Sequence, residues 1–307
     1  MTPRRILLTG ASGFVGRHLV PRLRDAFPDA ALALDHIDLT DPAAVRAQVH
    51  AVHPDACVHL AAVSTLAAAR QNFANAWAVN LHGSLALAGA ILVAAPECIL
   101  LHISTSEVYG ASFRSGVALD ERAAAAPMNA YAATKAAADL ALGAMVSEGL
   151  RLIRLRPFNH TGPGQSADFV VPAFARQVAR IAAGLQPPAM RTGALDPRRD
   201  FLDVRDVCAA YAACLRRADA LASGTILNIA SGVARRIGDV LAELLELAGV
   251  TAAIEPAQAL LRRGDIPVAA GDARAAHAAL DWRPRIPWNE TLRDVLSEWR
   301  ARVRHET

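Results

Sequence analysis

The sequence predicts an α/β protein, a doubly wound parallel sheet with a smaller second lobe in its C-terminal half. Three observations predict it. Short apolar runs alternate with longer helical patterns through the first half of the chain, the pattern of a parallel sheet covered on both faces. A glycine-rich turn, Gly10-Ala11-Ser12-Gly13-Phe14-Val15-Gly16, separates the first apolar run from the first helical pattern. After Arg156 the alternation gives way to turn formers, from Pro157 to Gln165, and then mostly to helices.

In chain order, Ile6 to Thr9 reads as a buried strand and Phe14 to Ala26 as a helix. Ala31 to Asp35 is the expected second strand. Pro42 to Val52 is a helix, because Asp41 can cap it and proline suits its first position. Ala56 to Leu60 is a strand, Asn75 to Ala94 a long helix, Ile99 to Ser104 a strand, Ala130 to Ser147 a helix and Leu152 to Leu155 a strand. Later helices are expected over Val171–Ala183, Val204–Arg217, Ile237–Ala248 and Leu292–Arg302. Thr225 to Ile229 reads as one more strand of the main sheet. This places the parallel-sheet unit at 1–156, joined by 201–230, and a second lobe mainly in 157–307.

The 307 residues suffice for two lobes with a large core, and 53 % apolar with 20 % charged residues is a globular composition, not a disordered one. A net charge of +3 with no basic stripe among aromatics does not suggest nucleic-acid binding. Cys57, Cys98, Cys208 and Cys214 form no Cys-x-x-Cys pair, so they read as buried free thiols of a reducing, cytoplasmic protein. Met1 to Arg5 leads straight into the first strand, so no secretory signal is expected. The longest apolar stretch, Leu81 to Ile103, is broken by His82, Pro96 and Glu97 and reads as a helix and a strand, not a membrane span. No metal-ligand cluster is expected.

One lysine, Lys135, stands among 32 Lys plus Arg residues. It lies four residues after Tyr131, on one helix face with it. A compact ammonium suits a tyrosyl oxygen or a ribose hydroxyl where a planar guanidinium fits differently. The glycine turn lets the backbone approach a diphosphate at a helix N-terminus. Asp35, about 20 residues further on, is placed to bind the ribose 2′-OH of NAD; Asp38 or Asp41 could equally cap the next helix. Leu60-Ala61-Ala62, after the third strand, is small enough to lie against a cofactor. Asn80 is a polar amide in an apolar helix and needs partners. Thr105-Ser106-Glu107 leaves the strand begun at Ile99, at the strand end where parallel sheets bind ligands.

These motifs resemble the extended short-chain dehydrogenase/reductases. The glycine spacing, Thr105 before Tyr131-x3-Lys135, and Asp38-Leu39 all match that family's pattern. Arg156-Pro157-Phe158-Asn159-His160-Thr161-Gly162-Pro163-Gly164-Gln165, Phe169-Val170-Val171-Pro172, Arg198-Arg199-Asp200 and the tail around Arg262 are similar to the branch of GDP-mannose 4,6-dehydratases and GDP-4-keto-6-deoxy-mannose reductases, closest in pattern to the reductases. The likeness covers nearly the whole chain. The short Asp35–Asp38 segment departs from it and resembles instead the dTDP-4-keto-rhamnose reductases.

The resemblance implies a Rossmann-type fold, NAD or NADP as cofactor, a nucleotide-diphosphate sugar as substrate and a homodimer built on the helices of Asn80 and Tyr131. It implies a cofactor site of Gly10, Gly13, Phe14, Val15, Gly16, Asp35, Asp38, Leu39, Leu60, Ala61, Ala62, Asn80, Tyr131, Lys135 and Pro157. Tyr131 would move the proton at a carbinol or keto oxygen, with Lys135 and a positive nicotinamide favouring its phenolate. Thr105 would bond the same oxygen. Glu107 admits two readings, the base of a dehydratase or a retained carboxylate that orders the loop. Ser106, Asn159, the Val170 amide, Arg199 and Arg262 would complete the substrate site, the arginines as two-donor phosphate ligands. Trp282 is expected in the core. The expected activity is reduction of a 4-keto nucleotide sugar, with a 4,6-dehydratase or epimerase as the alternative and a non-catalytic dinucleotide-binding module as a third.

Overall fold

The structure, a computed structural model, describes residues 2–260 and 266–306. Strand β1 (Arg5–Thr9) leads through the glycine turn into helix α1 (Phe14–Ala26), and β2 (Ala31–Ala33) is followed by α2 (Pro42–Val52). Asp41 caps α2 through its Oδ1, which accepts from the amides of Ala43 and Ala44 at 2.8 and 3.2 Å. Then come β3 (Ala56–His59), α3 (Leu66–Gln71), α4 (Phe73–Trp77), a π-helical turn (Ala78–Gly83), α5 (Ser84–Ala94) and β4 (Ile99–Ile103). A run of 3-10 turns (Ser106–Ser115) precedes α6 (Ala130–Ala144), which Asn129 caps through the Ala132 amide at 2.8 Å. Strand β5 (Arg151–Pro157) follows.

Strands β1 to β5 and β9 (Thr225–Ile229) form one parallel sheet in the order β2-β1-β3-β4-β5-β9. It is a Rossmann-type sheet, and the chain reverses its winding direction about β1, which β2 and β3 flank. Side chains alternate between the faces. Ile6, Leu8, Val58, Leu101, Ile153 and Leu155 join one core, and Leu7, Cys57, Leu100 and Leu152 join the other.

The remaining elements run β6 (Asn159–Thr161), α7 (Val170–Ala182), β7 (Ala189–Thr192), β8 (Arg198–Asp203) and α8 (Val204–Arg217), then, after β9, β10 (Ala234–Arg236), α9 (Ile237–Ala248), β11 (Ala253–Pro256), β12 (Val268–Ala269), α10 (Arg274–Leu280) and α11 (Trp288–Val303). Helix α8 packs with α1 on the main sheet, whereas α7, α9 and α11 share a third core that includes Phe174, Val240, Leu244, Leu296 and Trp299. Small sheets complete this second lobe: β10-β8-β12 with β6 on β8, and the pair β11-β7.

Three expectations are corrected. Strand β2 stops at Ala33, so Asp35 lies beyond it and is exposed. The cause is that Ile37 and Leu39 turn inward to pack with Leu7, Val45 and Leu87, which draws the chain off the sheet edge. The long helix begins at Phe73, not Asn75, and its π turn is centred on Asn80. Helix α6 tightens into a 3-10 turn at Met145, before Ser147. The stretch Phe73–Ala94 is apolar and long enough to cross a bilayer, but α2 and α6 pack against its α5 portion within the fold. All four cysteines are buried and free, and Trp282 is buried with its indole Nε1 donating to the Asp206 carbonyl at 3.0 Å.

Candidate active site

The glycine turn lies at the carboxyl end of β1, beside the Leu60–Ala62 segment that follows β3. Gly10 has φ +74°, and a Cβ there would sit 2.8 Å from the Ala61 amide nitrogen. At Gly16 a Cβ would collide with the carbonyl oxygens of Ala11 and Gly10. Only glycine permits this close packing of turn against turn. Gly13 is the N-cap of α1 and supplies no side-chain acceptor, and α1 has no acidic residue in its first turn. By contrast α2, α6 and α8 are capped by Asp41, Asn129 and Asp203. The amides opening α1 are thus left for an anion, and a dinucleotide diphosphate fits this cradle.

Phe14 and Val15 are half-buried at the start of α1. The Phe14 ring stacks on His160 at 6.2 Å between centroids, and Arg17 and His18 bond the carbonyls of Gly164 and Pro163 at 2.9 and 2.8 Å. The cofactor-side turn is therefore tied to the start of the second lobe. Asp35 and Asp38 are both exposed, and Asp38 Oδ1 is engaged by the Thr40 amide and hydroxyl at 2.8 and 2.6 Å. Leu39 is a core residue, and Gly83 allows its close approach.

Asn80 is buried and fully used. Its Oδ1 accepts from the Val63 amide at 2.8 Å, and its Nδ2 donates to the Val63 carbonyl at 3.1 Å and to Thr134 Oγ1 at 2.9 Å. The Thr134 hydroxyl donates in turn to the Tyr131 carbonyl at 2.8 Å. The amide thus braces both the segment after β3 and the first turn of α6.

Thr105, Ser106 and Glu107 leave the end of β4. Thr105 Oγ1 accepts from the Glu107 amide at 3.2 Å, and Glu107 Oε2 accepts from Asn129 Nδ2 at 3.1 Å. Glu107 therefore ties the Thr105 loop to the capping residue of the Tyr131 helix. Lys135 is 3 % exposed, and its Nζ donates to the Ile103 carbonyl at 2.6 Å. Burial pushes the Tyr131 phenol up to about 12; the Thr105 hydroxyl pulls it down and Glu107 pushes it further up. Tyr131 stands at neutral pH as a phenol, the form that gives a proton. Burial draws Lys135 down to about 8 while the Asp139 carboxylate pushes it up.

Pro157 ends β5 in register with Ile229. Asn159 opens β6 and pairs with Phe201 of β8, two residues from Arg199. Arg199 Nη1 donates to the carbonyls of Arg198 and Ile266 at 2.8 and 2.7 Å. Val170 is the first residue of α7, whose N-cap Phe169 offers no side-chain acceptor. Arg262 lies outside the described residues.

Two groups of polar residues behind the site were not anticipated. Thr9, His59, His102 and Arg154 stand in register across β1, β3, β4 and β5, on the face under α5 and α6. The second group links Asp139 of α6 to Arg154 and Arg156 of β5, then Tyr109 and Asn228. Arg156 Nε and Nη2 meet the two Asp139 oxygens at 3.0 and 3.1 Å, and its Nη1 reaches Tyr109 Oη at 3.2 Å. Tyr109 donates to Asn228 Oδ1 at 2.7 Å. One signal was readable, since Asp139 follows Lys135 by the four-residue step that separates Lys135 from Tyr131.

The sequence profile of the family described as GDP-mannose 4,6 dehydratase matches residues 25–295. The chain is 36 % identical over 306 residues to GDP-6-deoxy-D-mannose reductase of Pseudomonas aeruginosa, covering 99 % of each. It is 28 % identical to GDP-6-deoxy-D-talose 4-dehydrogenase of Aggregatibacter actinomycetemcomitans, covering 87 % of this chain and 88 % of that one. Among solved structures, RMD of Pseudomonas aeruginosa complexed with NADPH superposes with a TM-score of 0.87 at 33 % identity, covering 97 % and 99 % of the two chains. The UDP-glucose 4-epimerase of Thermus thermophilus complexed with NAD gives 0.83 at 25 % identity, covering 96 % and 99 %. The chain belongs to the GDP-mannose 4,6 dehydratase family.

Proposed function

We propose that this protein is a nucleotide-sugar 4-keto reductase that converts GDP-4-dehydro-6-deoxy-D-mannose to GDP-D-rhamnose or its C4 epimer with NAD(P)H. One observation carries the reading: the Thr105 hydroxyl just beyond β4 acts on the Tyr131 phenol in the first turn of α6, and Lys135, one turn further along that helix, is seated on the carbonyl of Ile103, the last residue of β4. The overall likeness to a GDP-6-deoxy-D-mannose reductase supports the choice of sugar.

The bound dinucleotide supplies hydride. Gly10, Gly13 and Gly16 admit its diphosphate, Phe14 and Val15 seat the helix start, and Leu60, Ala61, Ala62 and Pro157 wall the cleft. Asp35, Asp38 and Leu39 lie toward the adenosine end. Tyr131 gives its phenolic proton to the C4 oxygen, which becomes a hydroxyl. Thr105 donates a hydrogen bond to the same oxygen and places it. Lys135 fixes the ribose and offsets negative charge as the proton leaves Tyr131. Ser106, Asn159, the Val170 amide, Arg199 and Arg262 hold the sugar diphosphate. The cofactor unit comprises 1–156 joined by 201–230, and the substrate lobe the rest of 157–307. The protein acts in the cytoplasm as a homodimer; exposed Val93 on α5 and Leu140 on α6, 87 % and 60 % accessible, are apolar positions suited to such an interface.

The test supplies the purified protein with GDP-mannose, a separate 4,6-dehydratase, and NADH or NADPH. Absorbance at the reduced nicotinamide band falls if the reading is right; no oxidation with any 4-keto nucleotide sugar overturns it. Glu107 beside Thr105 favours one second reading, a 4,6-dehydratase. That enzyme would convert GDP-mannose unaided, and Glu107→Gln would abolish the conversion. A reductase in which Glu107 only orders the loop keeps most of its rate in that variant.

A further inference from the structure

A buried chain of hydroxyl, imidazole and amide groups runs from the dinucleotide cradle to the Tyr131 turn. Thr9 ends β1 in register with His59, which ends β3, and both are buried. Residues paired across neighbouring strands put their side chains on one face, and Thr9 Oγ1 meets His59 Nδ1 at 2.7 Å. The same oxygen accepts from the Ala61 amide at 3.2 Å. This is where Gly10 packs against Ala61, at the meeting of the two cradle walls. On the other edge of the ring, His59 Nε2 meets Ser84 Oγ at 2.9 Å, and the Ser84 hydroxyl donates to the Asn80 carbonyl at 2.7 Å. That spends the Ser84 proton, so Nε2–H is the donor to Ser84 and Nδ1 accepts from Thr9. Asn80 carries the chain on, donating to Thr134 at 2.9 Å, and Thr134 donates to the Tyr131 carbonyl at 2.8 Å. Every proton in the chain points the same way, from Ala61 toward Tyr131.

We propose that His59 is a positioning residue that holds the dinucleotide cradle and the Tyr131 turn in one fixed relation. Its Nδ1 orients Thr9, which pins the Gly10 turn to Ala61, and its Nε2–H orients Ser84, which pins the Asn80 turn. Imidazole suits the place because one rigid ring presents an acceptor on one edge and a donor on the other. An apolar side chain of the same size would leave two buried hydroxyls, Thr9 and Ser84, each short of a partner. The neighbouring histidine gives the contrast. His102 is in register with His59 on β4, its ring 5.7 Å away, and neither of its nitrogens is hydrogen-bonded. A histidine that only fills this core needs no bonds, whereas His59 makes one on each side. Linked buried groups of this kind reinforce one another and fix a single arrangement. The segment after β3 is held at both ends of the chain, by Thr9 at Ala61 and by Asn80 at Val63.

The value of this relation for reduction rests on the function proposed above, but the relation itself can be read without any sugar. Thr9→Val and Ser84→Ala each delete one hydroxyl with little change of shape, and both are titrated with NADH and NADPH. Ser84 lies across the ring from the cradle, so a histidine that merely packs predicts no change of affinity in Ser84→Ala. The chain predicts affinity weakened about threefold or more in each variant. The double variant should bind no more weakly than the worse single one, because one break already opens the chain. Thr9→Ser, which restores the hydroxyl, should restore affinity. The far end is read in cofactor-free protein labelled with carbon-13 at tyrosine Cζ. The chain has three tyrosines, and the Tyr131 resonance is the one lost in Tyr131→Phe. It should move in Thr9→Val, although Thr9 stands at the opposite end of the chain. Three results overturn the proposal: Ser84→Ala binding within about twofold of wild type, additive losses in the double variant, or a Tyr131 resonance unmoved by Thr9→Val. If the wild-type protein binds dinucleotide and reduces no 4-keto sugar, the proposed function fails and these readings still decide the role of His59. Wild-type protein that binds neither dinucleotide overturns both.

Discussion

Asn80 and Thr134 meet across two helices through a 2.9 Å hydrogen bond, and that bond couples the segment after β3 to the turn carrying Tyr131. The π turn makes the coupling possible. One extra residue per turn re-aims Asn80 without breaking the helix, as such turns do near functional sites.

Asn80→Ala removes three hydrogen bonds and leaves the Val63 amide and carbonyl short of partners. Denaturant unfolding should show a loss of about 2–4 kcal/mol, since each stranded buried group costs roughly 1–3 kcal/mol. The remaining folded protein should reduce substrate more than about tenfold slower, because a small displacement of Tyr131, the proposed proton donor, is costly. An activity near wild type at unchanged stability would show that Asn80 is not a brace.

Gly16→Ala tests the cradle. Its Cβ meets two carbonyl oxygens of the turn, so the backbone itself must move. Titration of NADPH or NADH binding should show affinity weakened about tenfold or more, with the circular dichroism spectrum kept; tenfold is about 1.4 kcal/mol. Gly13→Ala places its Cβ 3.2 Å from the Gly10 carbonyl and should weaken binding less. Equal effects at the two positions would sink the argument.

The sheet and its glycine turn were legible because local signals agreed. Ile6 to Thr9 and Ala56 to His59 are short apolar runs between turn formers, and Asp41-Pro42 marks a helix start. The second lobe was legible only in its helices. Its strands β6, β7, β8 and β10 to β12 have two to six residues, polar in part, and exist through pairing with distant segments such as Asn159 with Phe201. Catalytic candidates were readable from types and spacing, as with Tyr131, Lys135 and Thr105. Their support was not. Asp139, Arg154, Arg156, Tyr109 and Asn228 come from four separate segments, and only the packing of a helix and a 3-10 run onto paired strands brings them together.

Lys135→Arg keeps the charge and changes the shape. The Nζ sits 2.6 Å from the Ile103 carbonyl on a side chain that is almost wholly buried, where a planar guanidinium must displace its neighbours. Reduction should fall about 100-fold or more, while cofactor-free protein retains its circular dichroism spectrum. A variant with more than half of the wild-type kcat would show that a positive charge alone suffices.

His59 sets an acid limit on stability. Its Nδ1 accepts from the Thr9 hydroxyl at 2.7 Å, and its Nε2–H donates to Ser84 Oγ at 2.9 Å, because the Ser84 hydroxyl is already given to the Asn80 carbonyl at 2.7 Å. Both ring nitrogens are committed in the neutral tautomer, and a second ring proton would break the bond to Thr9. Buried His102, with neither ring nitrogen hydrogen-bonded, has no acceptor for an added proton either. A histidine held below its unfolded value near 6.5 contributes no penalty above that pH. As pH falls from about 6.5 toward about 3 the unfolded chain takes up the proton and the native one does not, so stability is lost across that window. The loss should reach about 2–3 kcal/mol for His59 near pH ~4.5, with His102 adding in the same direction. Urea unfolding at stepped pH should show the decline starting near neutrality, before the carboxylates titrate. In His102→Asn, the slope should lie closer to one proton than two. A flat stability from pH ~6.5 to ~4.5 would mean that these rings accept protons in the native state.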